Sequence, residues 1–89
     1  MEFEFNPEKS ASNKAKHGID FVEAQALWND SHILTVSART ENEARFLVIA
    51  KVNDRQRSAV ITYRQDRIRI ISVRRSRREE VEAYESRGI

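Results

Sequence analysis

Two histidines (His17 and His32), two tyrosines (Tyr63 and Tyr84), Glu43 and a block of arginines are the side chains that could move a proton or hold an anion. Several chemistries are missing their residues. There is no cysteine, so no disulfide and no thiolate metal site is possible. The histidines are far apart and lack ligand spacing, so we expect no metal and no cofactor. No glycine-rich phosphate loop, zinc-protease motif, serine-hydrolase elbow or cysteine pair is present. Metal-independent chemistry remains, and RNA cleavage is one form of it. The RNA supplies its own nucleophile, the 2′-OH, and the first product is a 2′,3′-cyclic phosphate. The protein must then provide a proton acceptor, a proton donor and positive charge beside the phosphorane. His17 suits proton transfer near neutrality. Glu43, Tyr63 and Tyr84 are further acid–base candidates, and Arg69, Arg74 and Arg78 are phosphate clamps. Each has a structural alternative. His17, just before Gly18, can serve as the cationic end of a helix. Tyr84 can be a core aromatic with its hydroxyl at the rim. Glu43 can pair with Arg45, and Trp28 reads as core.

The 89-residue chain has a net charge of only +2, but the charge is segregated. Residues 1–44 carry 4 basic and 8 acidic side chains, residues 45–78 carry 11 and 2, and residues 79–89 carry 1 and 4. Of the 16 basic residues, 12 are arginine. The planar guanidinium pairs two-point with phosphate or carboxylate, so a clustered arginine block suggests a polyanionic partner. The alternative is a charged sheet edge that discourages aggregation. The length allows one domain over 1–89. No apolar run approaches the ~20 residues of a membrane span. The acidic start Met1-Glu2-Phe3-Glu4-Phe5 does not read as a targeting peptide. A reducing cytosol fits these features.

The elements that must position these residues follow from period and punctuation. Phe3-Glu4-Phe5 alternates as a short strand. Asn6-Pro7 reads as an N-cap and first helical position, with the helix running to about His17 and stopping at Gly18. Asp20 with Glu23 is a capping-box-like start to a second helix that presents Phe21, Ala24 and Trp28 and ends near Asn29-Asp30. Strands follow at Ile33–Val36, Arg45–Val52, Ser58–Tyr63 and Arg67–Val73, with turns at Asn53-Asp54 and Gln65-Asp66. Ser76 with Glu79 is a capping box opening a third helix through about Ser86. The fold class is α+β, a small antiparallel sheet packed against helices in the order β-α-α-β-β-β-β-α, with helices on one face.

Alternation across the strands decides which face carries charge. If Phe46, Val48, Ala50 and Val52 meet the helices, Arg45 and Lys51 point away, and so do Arg67 and Arg69 if Ile68 and Ile70 point in. We therefore expect an open sheet face bearing these four cations. Arg74, Arg75, Arg77 and Arg78 continue it at the start of the third helix, whose dipole adds to the field. On the first helix, Lys9, Asn13, Lys16 and His17 share a polar stripe, while Ala11 and Ala15 can pack on another side. The expected acid–base and clamp set is His17, Arg69, Arg74, Arg78 and Tyr84. The expected RNA-phosphate contacts are Lys9, Lys16, Arg45, Lys51, Arg67 and Arg75.

These residues resemble a known family. The run Arg69-Ile70-Ile71-Ser72-Val73-Arg74-Arg75, followed by Arg78-Glu79 and Tyr84, resembles the C-terminal signature of the BrnT family. Phe5, Pro7, Lys9, Asn13, Lys16-His17-Gly18, Phe21 and Glu23-Ala24 resemble its start, and Glu43 with Arg45 its central Glu-x-Arg. Where that family often has a glycine shortly after the Glu-x-Arg, this chain has Ala50, which bears on a local bulge. The resemblance spans nearly the whole chain. It implies a RelE-like fold and the toxin of a bacterial type II toxin–antitoxin pair that cuts RNA without metal. It also implies a BrnA-type antitoxin with a DNA-binding domain, so that operator DNA is bound only through the complex. A non-catalytic module that holds RNA or an acidic antitoxin segment is the competing reading. A DNA-binding repressor acting alone is a weaker one, since the second helix lacks base-reading side chains. A homodimer through Ile33 or Leu34 stays open.

Overall fold

The computed structural model describes residues 1–38 and 42–86. The elements in chain order are β1 (Glu2–Glu4), α1 (Pro7–His17), a 3-10 helix (Glu23–Asn29), β2 (Leu34–Ala38), β3 (Arg45–Val52), β4 (Arg55–Arg64), β5 (Arg67–Arg75) and α2 (Arg78–Ser86). The β-α-α-β-β-β-β-α order and the α+β class are as the sequence implies, with the second helix wound as 3-10. β2 to β5 form an antiparallel meander, and β1 joins its far edge parallel to β5, giving the order β1-β5-β4-β3-β2. The sheet is therefore mixed at that edge, not wholly antiparallel.

Local chemistry sets the element ends. The Asn6 side chain accepts from the N–H groups of Glu8 (2.9 Å) and Lys9 (3.2 Å), and Pro7 opens α1. Gly18 ends α1 at φ 75°, donating its N–H to Lys14. The Asp20–Glu23 box is reciprocal: Asp20 accepts from Glu23 N at 2.7 Å, and Glu23 accepts from Asp20 N at 3.0 Å. Asn53 (φ 51°) and Asp54 (φ 66°) make the tight β3–β4 hairpin, in which both central residues need positive φ. The Ser76–Glu79 box is displaced by one. Glu80 Oε1 accepts the Arg77 N–H at 2.8 Å, while the Ser76 hydroxyl lies 2.9 Å from that of Ser58.

The core forms where α1 and the 3-10 helix cover one sheet face. Val48 and Ala50 of β3, Ala59 and Ile61 of β4, and Ile68, Ile70 and Val73 of β5 pack there with Ile19, Phe21, Ala24 and Leu27. Phe3 packs edge-on to Trp28 at 5.0 Å, and Phe5 to Phe21 at 5.7 Å. Ala50 is buried in unbroken β3–β4 register, so the position needs no glycine.

Three expectations need correction. The helices do not share one face. Glu80 of α2 bonds Ser58 and Arg74, register partners whose row also includes Ile49, so α2 lies on the sheet face away from α1. The α1 stripe is not wholly exposed. Asn13 is buried, whereas Ala11 and Ala15 are the exposed residues. β1 covers β5 only up to Arg69, and Asn13 substitutes for a strand beyond it. Its Nδ2 donates to the carbonyls of Val73 and Ile19 (both 2.8 Å), and its Oδ1 accepts from Val73 N (3.1 Å). Satisfying buried backbone groups outweighs apolar packing at this position. Finally, Ile33 packs against the core and Leu34 is half-buried, leaving Val36 as the exposed aliphatic side chain of β2.

Candidate functional site

A register shift near Val60 and Ile61 determines where the arginines point. Ile70 pairs with Ile61 and Ser72 with Val60, leaving Ile71 as the extra residue of a bulge. The alternation of β5 is reset there. Arg67, Arg69 and Arg74 face the α2 side, while Val73 and Arg75 face the α1 side. Arg57 of β4 is the register partner of Arg75 and of Ala50, so it too lies on the α1 side, beyond the core.

Most cations on the α2 side are already paired. Arg69 meets Glu4 at 2.8 Å, and Arg67 lies 3.5 Å from Glu2 and 3.9 Å from Glu4. Arg64 and Arg45 lie 3.8 Å and 3.7 Å from Glu4 and Glu43. Lys51 Nζ sits 6.0 Å from the centroid of the Tyr84 ring. Arg74 is held two-point by Glu80, both contacts being 2.8 Å. Glu80 also accepts from the Ser58 hydroxyl and from Arg77 N, both at 2.8 Å. The Arg74 guanidinium, with these other donors, holds the Glu80 carboxyl down at about 2, and Glu80 in turn raises Arg74. The start of α2, expected to receive a phosphate, is therefore occupied by the chain's own carboxylate. Arg78 stands out in solvent, 4.0 Å from Glu82.

Tyr84 is engaged as well. It donates to Asp30 Oδ2 at 2.5 Å, and Asp30 also accepts from the N–H groups of Lys51 (2.8 Å) and His32 (2.9 Å). Burial pushes the Asp30 carboxyl up, but these three donors outweigh it and leave the group below its ordinary value. Burial, together with the hydrogen bond to Asp30, pushes the Tyr84 hydroxyl up to about 12.

Four arginines make no ion pair among the described residues: Arg55, Arg57, Arg75 and Arg77. Three of them converge. Arg55, Arg57 and Arg75 line a cavity of about 340 Å³ with Gln56, Ser76 and Val81. Arg55 and Arg57 also line an adjoining hollow of about 630 Å³ with Gly18, Ile19 and Val52. α1 runs alongside β5 in the same direction, with Asn13 meeting Val73 and Gly18 reaching this hollow. His17, one turn beyond Asn13, thus stands at the arginine-lined end of the molecule, exposed like Lys16 and Lys9.

Of the residues singled out from sequence, Arg75 lines the smaller cavity, and His17 immediately precedes Gly18, which lines the adjoining hollow. The fold disperses Arg69 to the opposite end of the sheet, Arg78 to the solvent side of α2, and Arg74 and Tyr84 into bonds that anchor α2. Arg55 and Arg57 were missed because the strand was begun at Ser58. Their parity with Ala59 and Ile61 was the available signal. Among the described residues no group of three His, Cys, Asp or Glu side chains is placed to hold a metal ion, and no helix is long and apolar enough to cross a membrane.

No curated protein matches this sequence. Residues 5–80 match the family model described as ribonuclease toxin, BrnT, of type II toxin–antitoxin system. That span begins just after β1 and takes in α1, strands β2 to β5, the arginine-lined cavities and the first turn of α2 through Glu80. By that match the chain belongs to the BrnT family of ribonuclease toxins.

Proposed function

We propose that this toxin cuts RNA along the unpaired arginines where α1 and β5 end and β4 begins, by attack of the RNA's own 2′-OH and without a metal. The observation that carries the placement is the contrast between Arg55, Arg57 and Arg75, which lack carboxylate partners among the described residues, and Arg69 and Arg74, which have them. An unpaired guanidinium can give its whole fork to a phosphate. In the reaction the 2′-oxygen bonds to phosphorus and its proton passes to the His17 imidazole. Arg57 and Arg75 offset the charge gathering on the phosphorane. The P–O5′ bond breaks as the departing oxygen takes up a proton from solvent water, and the products are a 2′,3′-cyclic phosphate and a 5′-hydroxyl. Lys9 and Lys16 extend the field along α1. Arg74 and Tyr84 act at one remove, by fixing α2.

As the toxin of a type II pair, the protein has an antitoxin. We propose a BrnA-type antitoxin that covers the arginine-lined end, brings its acidic groups to Arg57 and Arg75, and carries the operator-DNA contacts of the complex. The cytoplasm, where both partners and RNA meet, is the proposed site of action.

The test is incubation of the purified chain with a defined single-stranded RNA and a matched DNA in excess EDTA, with product ends read by mass spectrometry. Cyclic-phosphate ends on RNA alone are expected, lost in Arg57→Ala and in Arg75→Ala. Full activity in both variants and in their combination would remove the arginines from the site. No cleavage by the wild type, with or without translating ribosomes, would leave a module that binds RNA or antitoxin without catalysis.

A further inference from the structure

The smaller cavity holds a group that phosphate cannot satisfy. Gln56 lines it beside Arg55, Arg57 and Arg75, and Gln56 Oε1 is buried without a hydrogen-bond partner. Among the described residues it is the one buried side-chain nitrogen or oxygen left so. A buried acceptor without a donor is costly, and proteins rarely leave one without reason. The neighbouring Ser76 hydroxyl is not its partner, since that hydroxyl is occupied with Ser58. The three guanidinium groups ask for anionic oxygens, and the amide oxygen asks for an N–H. The wall also includes the aliphatic Val81. A nucleotide meets all three demands: phosphate for the arginines, a Watson–Crick edge with an N–H donor for Gln56, and an apolar base face for Val81. Guanidinium planes also stack on bases.

We infer that this cavity is the subsite for one nucleotide of the RNA strand, and that Gln56 reads its base. The inference rests on the RNA-cleaving reading above and adds to it a specificity-determining residue. The terminal torsion of glutamine is soft, so the amide edge turns into the cavity at small cost when a base arrives. Arg57 and Arg75, register partners side by side on the α1 face, hold the phosphate at the end of the sheet, while Gln56, register partner of Lys51, approaches the base from the α2 face. Gln56 is fixed from the backbone, its carbonyl accepting Ser76 N at 3.2 Å, so the amide starts from a set position beside α2.

The experiment is calorimetric titration of the full chain with each of the four nucleoside 3′-monophosphates and with inorganic phosphate, repeated for Gln56→Leu. At least one nucleotide should bind about tenfold tighter than phosphate, roughly the worth of one hydrogen bond to a buried acceptor plus stacking. Gln56→Leu should reduce that nucleotide to the affinity of phosphate and leave phosphate binding unchanged. Because it removes an unsatisfied buried acceptor, it should melt no lower than wild type. Gln56→Met, unbranched and close in volume, is the second variant should leucine disturb the strand. The base preference in RNA cleavage should flatten in the same variants. Equal binding of nucleotides and phosphate by the wild type would overturn the subsite, as would an undiminished nucleotide advantage in both variants. An advantage lost from mononucleotide binding while the cleavage preference stays intact would mark a free-nucleotide site and overturn the substrate role. Nucleotide binding without any RNA cleavage would instead sink the catalytic reading and leave the binding site standing.

Discussion

At the scale of single residues, Glu80 and Asp30 carry the polar anchoring of α2 to the rest of the molecule. Glu80 gathers Arg74, Ser58 and the Arg77 N–H, while Asp30 gathers Tyr84 and the N–H groups of Lys51 and His32. Both act on α2, one at its first turn and the other near its end. Since Arg74 holds Glu80 down at about 2, well below the ordinary carboxylate value, its contribution to stability is fully present above that ordinary value. It is lost as pH falls toward about 2, so acid titration should loosen α2 across that interval. In Glu80→Gln the acid-sensitive step should vanish, and stability at neutral pH should fall by about 2 kcal/mol, because Arg74 keeps its charge without its partner. Circular dichroism melts from neutral to acidic pH measure both. Tyr84→Phe removes a hydrogen bond to a carboxylate and should cost about 1.5–3 kcal/mol. RNA cleavage measured below the melting temperature should survive it. A Tyr84→Phe variant with wild-type stability and no cleavage would return that hydroxyl to the chemistry.

At the scale of elements, α1 is a helix whose buried side is polar. Ser10 accepts the Phe21 N–H at 2.9 Å, and Asn13 serves the open edge of β5. Asn13→Ala should therefore cost about 3 kcal/mol in a denaturant melt, because it strands backbone groups of Val73 and Ile19 in the interior. Asn13→Leu, apolar and larger, should be no better. Gly18→Ala is the milder case: nothing lies within 4 Å of the added methyl, so only the left-handed φ of 75° is charged, about 1 kcal/mol. Element types and order were legible because the punctuation is strong: Asn6-Pro7, Gly18, Asp20 with Glu23, and Asn53-Asp54 each stand where the chain turns. The sides that α1 and α2 present were less legible. Periodicity assumes that polar residues face water, which Asn13 and Ser10 contradict by bonding to backbone. It also assumes unbroken alternation, which the Ile71 bulge interrupts, putting Arg74 rather than Arg75 on the face of Arg67 and Arg69. The residues carrying the family resemblance suffer most from this. Arg69, Arg74 and Tyr84 are conspicuous in the sequence, yet in the fold they are bonded to Glu4, Glu80 and Asp30.

At the scale of the whole molecule, the segregated charge of the sequence becomes two differently used surfaces. On the α2 side, acidic residues from β1 and α2 neutralise much of the arginine block. Glu2 and Glu4 take Arg64, Arg67 and Arg69, and Glu80 takes Arg74. The acidic ends of the chain thus act as internal counterions for its basic middle. RNA can use those arginines only by exchanging these ion pairs for phosphate contacts, and the carboxylates left beside them would repel the phosphates. At the α1 end Arg55, Arg57 and Arg75 make no ion pair among the described residues, and Glu23, the carboxylate that lines the hollow with Arg55 and Arg57, is held by Lys14, so the field there is open to a strand of phosphates. This contrast fixes how binding must respond to salt. If a single strand meets three arginines there, Arg55, Arg57 and Arg75, the slope of log K against log salt should be about −2, a loss of roughly 20-fold between 50 and 200 mM. Arg57→Ala and Arg75→Ala should each flatten the slope by about 0.7, the share of one phosphate contact on a single strand. Arg67→Ala, on the neutralised surface, should leave it unchanged. Fluorescence anisotropy with a short RNA measures all four proteins under conditions that block cleavage, such as a 2′-O-methylated strand. A slope that falls for Arg67→Ala and holds for Arg57→Ala would move the RNA to the α2 side, which requires Glu2 and Glu4 to release their arginines on binding.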